Sequence, residues 1–481
     1  MTKLLLSKSD EEYLEKCATQ MKFSYGIIIG QKSEPGKYIV VHLAKNDEEE
    51  SDFPDAESSA AVGPQKVEQI NLQSLGNQWL SAGKMIPGSF NVMGLFIAGV
   101  SKDYVDDSSE EFKSAKRLFF DMHNLLKQGH QFKSNEYDDT EYIFLTYSSA
   151  AKKAASKIYN YVAKECKKTY FTAHIKCVLC GGSFSPLDCR FVEKPFEWYT
   201  FECNYELNDV FPILDAAEKI NIEIQFQKTI DTVRNNLNAS EIFLQNECVD
   251  DGQILDSYIK QLRQGGERKA NSEESYKATI FLPIKCQNTK GNQQQRVHVK
   301  EFNGTIRLSG VVSSRIWCNP KNTIGDVKRF IREDIIRSLM ARIQVYCDGL
   351  TEPNISNDAI FISEPPRRVY FNVNASGQKS IQFSDYIFRG ETPTVAAAQA
   401  KQILDLDITT DSIMADLEGV PEDETFSDTS FEMQTEKQTM QKLGTSDPAG
   451  QRDLTRTMYM LGIAVSLLVL VIAIVVHYFM K

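Results

Sequence analysis

Residues 458–476 run nineteen positions without a charge, and only Tyr459, Gly462 and Ser466 interrupt their apolar character. Coiled as a helix the run is about 28 Å long, and with Thr457 and the aromatic end it matches the ~30 Å hydrocarbon thickness of a bilayer. A core helix in a water-soluble protein carries a polar face, and this run has none. The sequence therefore predicts a membrane-spanning helix over 457–479, with Met458, Leu461, Leu468 and Val476 in contact with lipid. Arg452 and Arg456 precede it and Lys481 alone follows, so the positive-inside bias favours a cytosolic body. Near the amino terminus, Leu4, Leu5 and Leu6 are too short an apolar run for the core of a signal peptide. The expectation is a tail anchor, inserted after synthesis ends.

The net charge of −11 is unevenly placed. Between Asp405 and Asp453 stand thirteen acidic residues against Lys437, Lys442 and Arg452, so residues 1–404 are nearly neutral. Rich in Thr, Ser, Gln and acids and poor in aromatics, residues 405–456 read as a disordered linker with a reach of roughly 40 Å. The chain offers no cationic face to displace counterions, which excludes broad nucleic-acid binding. Ten cysteines scattered over 481 residues are the usage of free thiols in a reducing compartment. On the cytosolic reading the glycosylation sequons at Asn238, Asn303, Asn354 and Asn374 stay unused.

Periodicity divides the body into two α+β units, expected over 1–209 and 210–404. In the first, residues 23–30 and 38–43 flank a Pro35-Gly36 turn and predict a hairpin. A helix over 67–85 stops at Pro87-Gly88, and a buried strand follows over 92–100. Phe112, Ala115, Phe119, Met122 and Leu126 stripe a helix over 110–128. A strand over 142–147, a lysine-rich helix over 152–168 and a strand over 170–179 complete the expectation. The second unit opens with a strand from 220, followed by a helix over 230–237, a strand over 242–249 and a short helix ending at Leu262. Strands are expected over 276–286, 295–302, 304–318 and 369–373. Val327, Phe330, Ile331, Ile335, Leu339 and Ile343 stripe a helix over 323–343.

Reactive constellations are sparse. Cys177-x-x-Cys180, with His174 before it and Cys189 and Cys203 beyond, is the best zinc candidate, but the second close pair that a tetrahedral site needs is absent. One member of the first pair falls on the inward face of an alternating strand, as structural thiols do. The histidines form no i, i+2 or i, i+4 pair, and there is no nucleophile elbow, Walker loop or dinucleotide fingerprint. Gly26 and Gly30 read as a tightly packed strand rather than a phosphate cradle, and Trp79, Trp198 and Trp317 as core anchors ahead of docking hot spots. No cofactor or metal is expected. The competing reading is a tail-anchored hydrolase or redox protein using Cys177 or Cys180.

Several stretches, taken in order, resemble the odorant-response-abnormal-four family of tail-anchored endoplasmic-reticulum proteins. They are Gly26-Ile-Ile-Ile-Gly30-Gln31 with Lys37-Tyr38-Ile39-Val40, Met85-Ile86-Pro87-Gly88 running into Val92-Met93-Gly94-Leu95-Phe96-Ile97, and Lys194-Pro195-Phe196-Glu197-Trp198. Weaker matches follow at residues 304–309, Asp326-Val327-Lys328, Arg367-Arg368-Val369-Tyr370, Asp385-Tyr386 and the terminal His477-Tyr478-Phe479. The resemblance implies a non-enzymatic adaptor that helps multi-pass receptors, odorant receptors in particular, fold and leave the endoplasmic reticulum. It also implies a part in holding the cysteine protease of the ubiquitin-fold modifier at that membrane. The first unit further resembles a metal-free version of the metalloprotease-like (MPN) domain, with Ile97-Ala98-Gly99 where an active member places His-x-His. Partner binding is expected at Met85, Pro87, Phe96 and Trp198.

Overall fold

The computed structural model describes residues 2–20, 23–46, 64–129, 140–161, 182–213, 222–264, 275–282, 304–349, 365–373, 381–415 and 417–418. The expected membrane span, Cys177 and Cys180, and the strands expected over 170–179 and 295–302 lie outside them. The described residues fall in a single contact unit, residues 1–419.

Seven strands close a barrel. The hairpin of β2 (Phe23–Glu34) and β3 (Lys37–Lys45) forms where alternating apolar residues meet a turn at Gly36, whose φ of 76° suits a residue without Cβ. β4 (Asn91–Gly99) lies antiparallel to β2, and β5 (Glu141–Ser148) parallel to β4. β6 (Lys153–Asn160) and β7 (Ser183–Val192) add antiparallel strands, and β1 (Lys3–Ser7) closes the ring by pairing parallel with both β7 and β3. Helix α1 (Lys8–Gln20) covers one face, where Leu14, Ile28, Phe96 and Leu145 pack together. Helices α2 (Leu72–Met85) and α3 (Glu110–Gly129) cover the other face, and the predicted stripe of α3 is fully buried there.

A four-stranded sheet follows, in the order β11-β8-β10-β9. Its spine is β8 (Tyr199–Ile213) against β11 (Gly304–Cys318), antiparallel along their full fifteen residues. Helix α4 (Ile222–Asn238), β9 (Glu241–Leu244), helix α5 (Leu255–Gln264), β10 (Tyr276–Phe281) and helix α6 (Ile324–Gly349) complete the layer, and Phe201, Ile230, Ile316 and Ile331 sit in its core. The hairpin of β12 (Arg367–Asn372) and β13 (Gln382–Ile387) and helix α7 (Thr394–Leu404) return to the first core, which takes in Trp317, Val369, Phe371, Phe383 and Leu404.

Four expectations change. Residues 153–160 form a strand rather than a helix, because pairing with β5 and β7 outweighs the helical preference of Ala and Lys. Where the sequence predicts a strand from 220, the described residues from Ile222 onward form α4, in which Phe226, Ile230, Val233 and Leu237 are buried and Ile224 is exposed. The boundary expected at Asp209 falls inside β8. The linker expected from Asp405 remains packed through its first stretch, with Leu406 and Ile413 buried.

Candidate functional site

Between the two cores lies the segment that the sequence singles out. Helix α2 ends at Met85, and Pro87, lacking an N–H, prevents its continuation. The next residues thread between α6 and β11. Gly88 N donates to Asp334 Oδ1 at 2.7 Å, and a Cβ on Gly88 would lie 2.3 Å from the Asp334 backbone nitrogen, so only glycine fits. Arg337 donates to the carbonyls of Ile86 (3.4 Å), Pro87 (3.0 Å) and Phe90 (2.8 Å) and to Asn91 Oδ1 (2.8 Å). Ser89 Oγ accepts from Trp317 N at 3.1 Å, and Gln31 Nε2 donates to the carbonyls of both Ser89 and Trp317 at 3.0 Å.

The joint is fixed by a buried ion pair. Arg368 of β12 donates from Nη1 to Asp334 Oδ2 at 2.8 Å and from Nη2 to Oδ1 at 3.1 Å, with side chains 1% and 0% exposed. Its Nε donates to Ser384 Oγ at 2.8 Å, and Ser384 Oγ donates in turn to Met85 O at 3.3 Å. Burial, the largest effect on Arg368, opposes its charge, yet the Asp334 carboxylate holds its proton affinity well above the ordinary value. Such a fork-to-fork pair is directional and strong where water is excluded.

A second carboxylate closes the seam nearby. Glu418 Oε1 accepts from Ser313 N of β11 at 3.0 Å and also from Arg342 Nη2 of α6, while its Oε2 accepts from Arg368 N at 2.8 Å. On β13, burial pushes the Asp385 carboxyl up to about 7, with Glu391 adding to the rise and the Tyr386 N–H and Lys84 opposing it. Burial pulls Lys84 down.

The residues expected to bind partners are largely interior. Met85 and Phe96 are 1% and 0% exposed and Pro87 is buried, so none of them presents a surface in this conformation. Phe96 sits on the α1 side of the barrel, apart from Met85, so the two do not form one patch. Trp198 is half-buried, edge-on to Phe90 at 5.3 Å. Sequence reasoning passed over Asp334, Arg337 and Glu418. The available signals were an acid between the buried Ile331 and Ile335 on α6, and an arginine inside the apolar strand β12.

Burial also governs the thiols. It pushes Cys17 and Cys347 up to about 11 and Cys189 and Cys203 up to about 12, and lifts Cys318 well above the ordinary range, so all five are protonated at neutral pH. Among the described residues no three His, Cys, Asp or Glu side chains are grouped to hold a metal ion, and no helix is long and apolar enough to cross a membrane.

The sequence profile of the ODR4-like family, Odorant response abnormal 4-like, matches residues 26–415. The chain belongs to that family. It is 43% identical over 514 aligned positions to a Drosophila melanogaster protein named Protein odr-4 homolog, covering 99% of each chain. A Xenopus laevis protein of the same name is 21% identical, over 83% of this chain and 82% of its own. Among solved structures, UfSP from C. elegans is a distant neighbour of this ODR4-like chain. Its TM-score is 0.38 at 7% identity, and the alignment covers 84% of this chain and 57% of that one.

Proposed function

We propose that this ODR4-like protein is a non-enzymatic adaptor, tethered to the endoplasmic-reticulum membrane by the helix expected over 457–479, with its body in the cytosol. Its clients are multi-pass receptors, and its soluble partner is the ubiquitin-fold-modifier-specific cysteine protease. The observation that carries the reading is the extent of the family match. Residues 26–415 take in most of β2, the barrel strands β3–β7, the second sheet and the β12–β13 hairpin together, so the match spans both cores rather than one unit. The cysteine-dependent alternative rests on Cys177 and Cys180, which lie outside the described residues, and is tested by replacing them. The likeness of the barrel to a metal-free MPN domain belongs to the same proposal. Ile97 and Gly99, at the positions of the two ligand histidines on β4, carry no group that could ligate a metal, and Ile97 is buried in the first core.

Affinity purification of the full chain in mild detergent, beside a truncation ending at Gly450, tests the proposal. The protease is expected to co-purify with both forms and the receptors with the full chain alone. Enrichment of neither with the full chain overturns it.

A further inference from the structure

Residues 413–418 do more than end the body. Met414 forms a two-bond β-bridge with Tyr370: Tyr370 N donates to Met414 O at 3.1 Å, and Met414 N donates to Tyr370 O at 2.8 Å. Four residues on, the Glu418 carboxylate takes the backbone N–H groups of Ser313 and Arg368 and the guanidinium of Arg342, and its side chain is 4% exposed. The chain thus reaches the seam between β11 and β12 with one backbone bridge at Met414 and, at a bend, the Glu418 carboxylate, so that backbone pairing supplies affinity and one side-chain pocket specificity.

We propose that Ile413–Ala415 with Leu417 and Glu418 form a removable strap, and that the seam they close is a docking site for a partner segment carrying a carboxylate side chain four residues beyond its backbone-paired position.

The receiving surface stays assembled without the strap. Arg342 also donates to Pro366 O at 3.2 Å and to Ser338 Oγ at 3.3 Å, and its guanidinium stands 5.5 Å from the Tyr386 ring centre, so its position does not depend on Glu418. Tyr370 is held from the other side, its hydroxyl donating to Ser313 O at 3.0 Å and its strand paired with β13. Withdrawing the strap leaves three backbone donors without their acceptors, at Ser313, Arg368 and Tyr370, and deprives the Arg342 guanidinium of its carboxylate, with only the neutral acceptors Pro366 O and Ser338 Oγ kept. That deficit selects an acceptor-rich, acidic, extended occupant and rejects a helix or a basic peptide. The strap itself is lightly held for a core element. Met414 is half-buried, Leu417 is 38% exposed, Ala415 packs against the core from a half-buried position, and Ile413 alone among the described strap residues is a buried member of it. Contiguous segments with few buried apolar contacts open well below the free energy of global unfolding.

The inference deepens the adaptor reading by giving its partner a chemistry, but its test involves no client. The probe is a fluorescent peptide copying residues 408–421, titrated by anisotropy into the full chain in mild detergent and into its Glu418→Lys variant, in which the strap is expelled by Arg342. The peptide is expected to bind the variant at least tenfold more tightly than the wild type, and to lose at least tenfold when its own glutamate is replaced by glutamine. Equal affinity for the two chains, or binding indifferent to that glutamate, overturns the proposal. If Glu418→Lys does not fold, hydrogen exchange on the wild-type chain decides. The Met414 amide is expected to exchange at least tenfold faster than the amides of β13, and exchange at the same rate as β13 overturns the proposal. Absence of receptors or protease in the affinity purification leaves this result untouched, and a peptide that fails to bind leaves the adaptor reading standing.

Discussion

Replacing Asp334 with alanine tests whether one carboxylate holds the two cores together. The change removes both bonds from Arg368 and the acceptor of Gly88 N–H, leaving a guanidinium 1% exposed with its bond to Ser384 Oγ and the Tyr370 ring at 4.9 Å but no counter-charge from Asp334. Stranding one member of a buried pair costs about 3–5 kcal/mol. The orphaned Gly88 N–H adds about 1 kcal/mol. Against the roughly 5–15 kcal/mol that stabilises an ordinary domain, this is a large share. Urea unfolding of the full chain in mild detergent, followed by tryptophan fluorescence, reads it. Trp317 and Trp198 both pack in the first core and border the joint. The double variant Asp334→Leu with Arg368→Met is expected to recover most of the loss, because an apolar pair of similar volume needs no counter-charge. A loss below about 1 kcal/mol in the single variant, or a double variant no better than the sum of its singles, refutes the argument that the buried charge drives the effect.

Gly88→Ala presses a methyl group onto the Asp334 backbone from the opposite side and is expected to destabilise by about 1–3 kcal/mol in the same urea assay, while Gly83→Ala, with nothing within 4 Å, leaves stability unchanged or slightly raised. Asp385 has its folded pKa raised from 3.8 to about 7, so the folded state holds the proton more tightly than the unfolded chain. Its contribution to stability is therefore complete below about pH 4 and lost as pH rises through about 7, and Asp385→Asn is expected to gain a few kcal/mol over wild type at pH 8 and nothing at pH 4 in thermal melts. Cys248 is exposed, so a chromogenic disulfide titrates it at once, whereas Cys17, Cys203 and Cys318 react only after urea is added. Under the scaffold reading, Cys177→Ser with Cys180→Ser retains partner capture at the wild-type level in the affinity purification.

Local pattern was legible and closure was not. The hairpin of β2 and β3 and the helices α3 and α6 announce themselves because their partners lie within a turn or on one helical stripe. Closing the barrel pairs Lys3 with Asp188, a contact that no window of neighbouring residues contains. Helical propensity misled at residues 153–160, where lysines stand on a strand because Lys157 ion-pairs with Asp107 at 2.8 Å and Ile158 and Tyr159 turn inward. Composition misled at 405–418. An acidic stretch looks unable to bury itself, yet Asp405 accepts from Tyr13 Oη at 2.9 Å, His42 Nε2 lies 2.6 Å from Leu404 O, and Glu418 satisfies donors on three elements. At the candidate site, the sequence marked the right segment for the wrong reason. Met85, Pro87 and Gly88 are constrained by α6 and β12, which lie far along the chain, and a run that must fit an interior joint looks in one sequence like a run that must fit a partner.

That distinction decides how partner contacts should be mapped. A fragment ending near Asp209 cuts within β8, strips the remnant of β8 of its antiparallel partner β11 and removes the α6 side chains Asp334 and Arg337 from the segment at 85–91. It also takes Trp317, Val369, Phe371 and Phe383 out of the first core. Each of those losses exposes apolar area worth roughly 1.5–3 kcal/mol per large side chain, so the fragment does not retain the fold whose surface is in question. Failure of such a half to capture a client is then a statement about folding. The division that respects the hydrogen bonds falls after Glu418, and a truncation at Gly450 keeps every described contact while removing the expected membrane span. A partner lost in that truncation has been lost for want of the span.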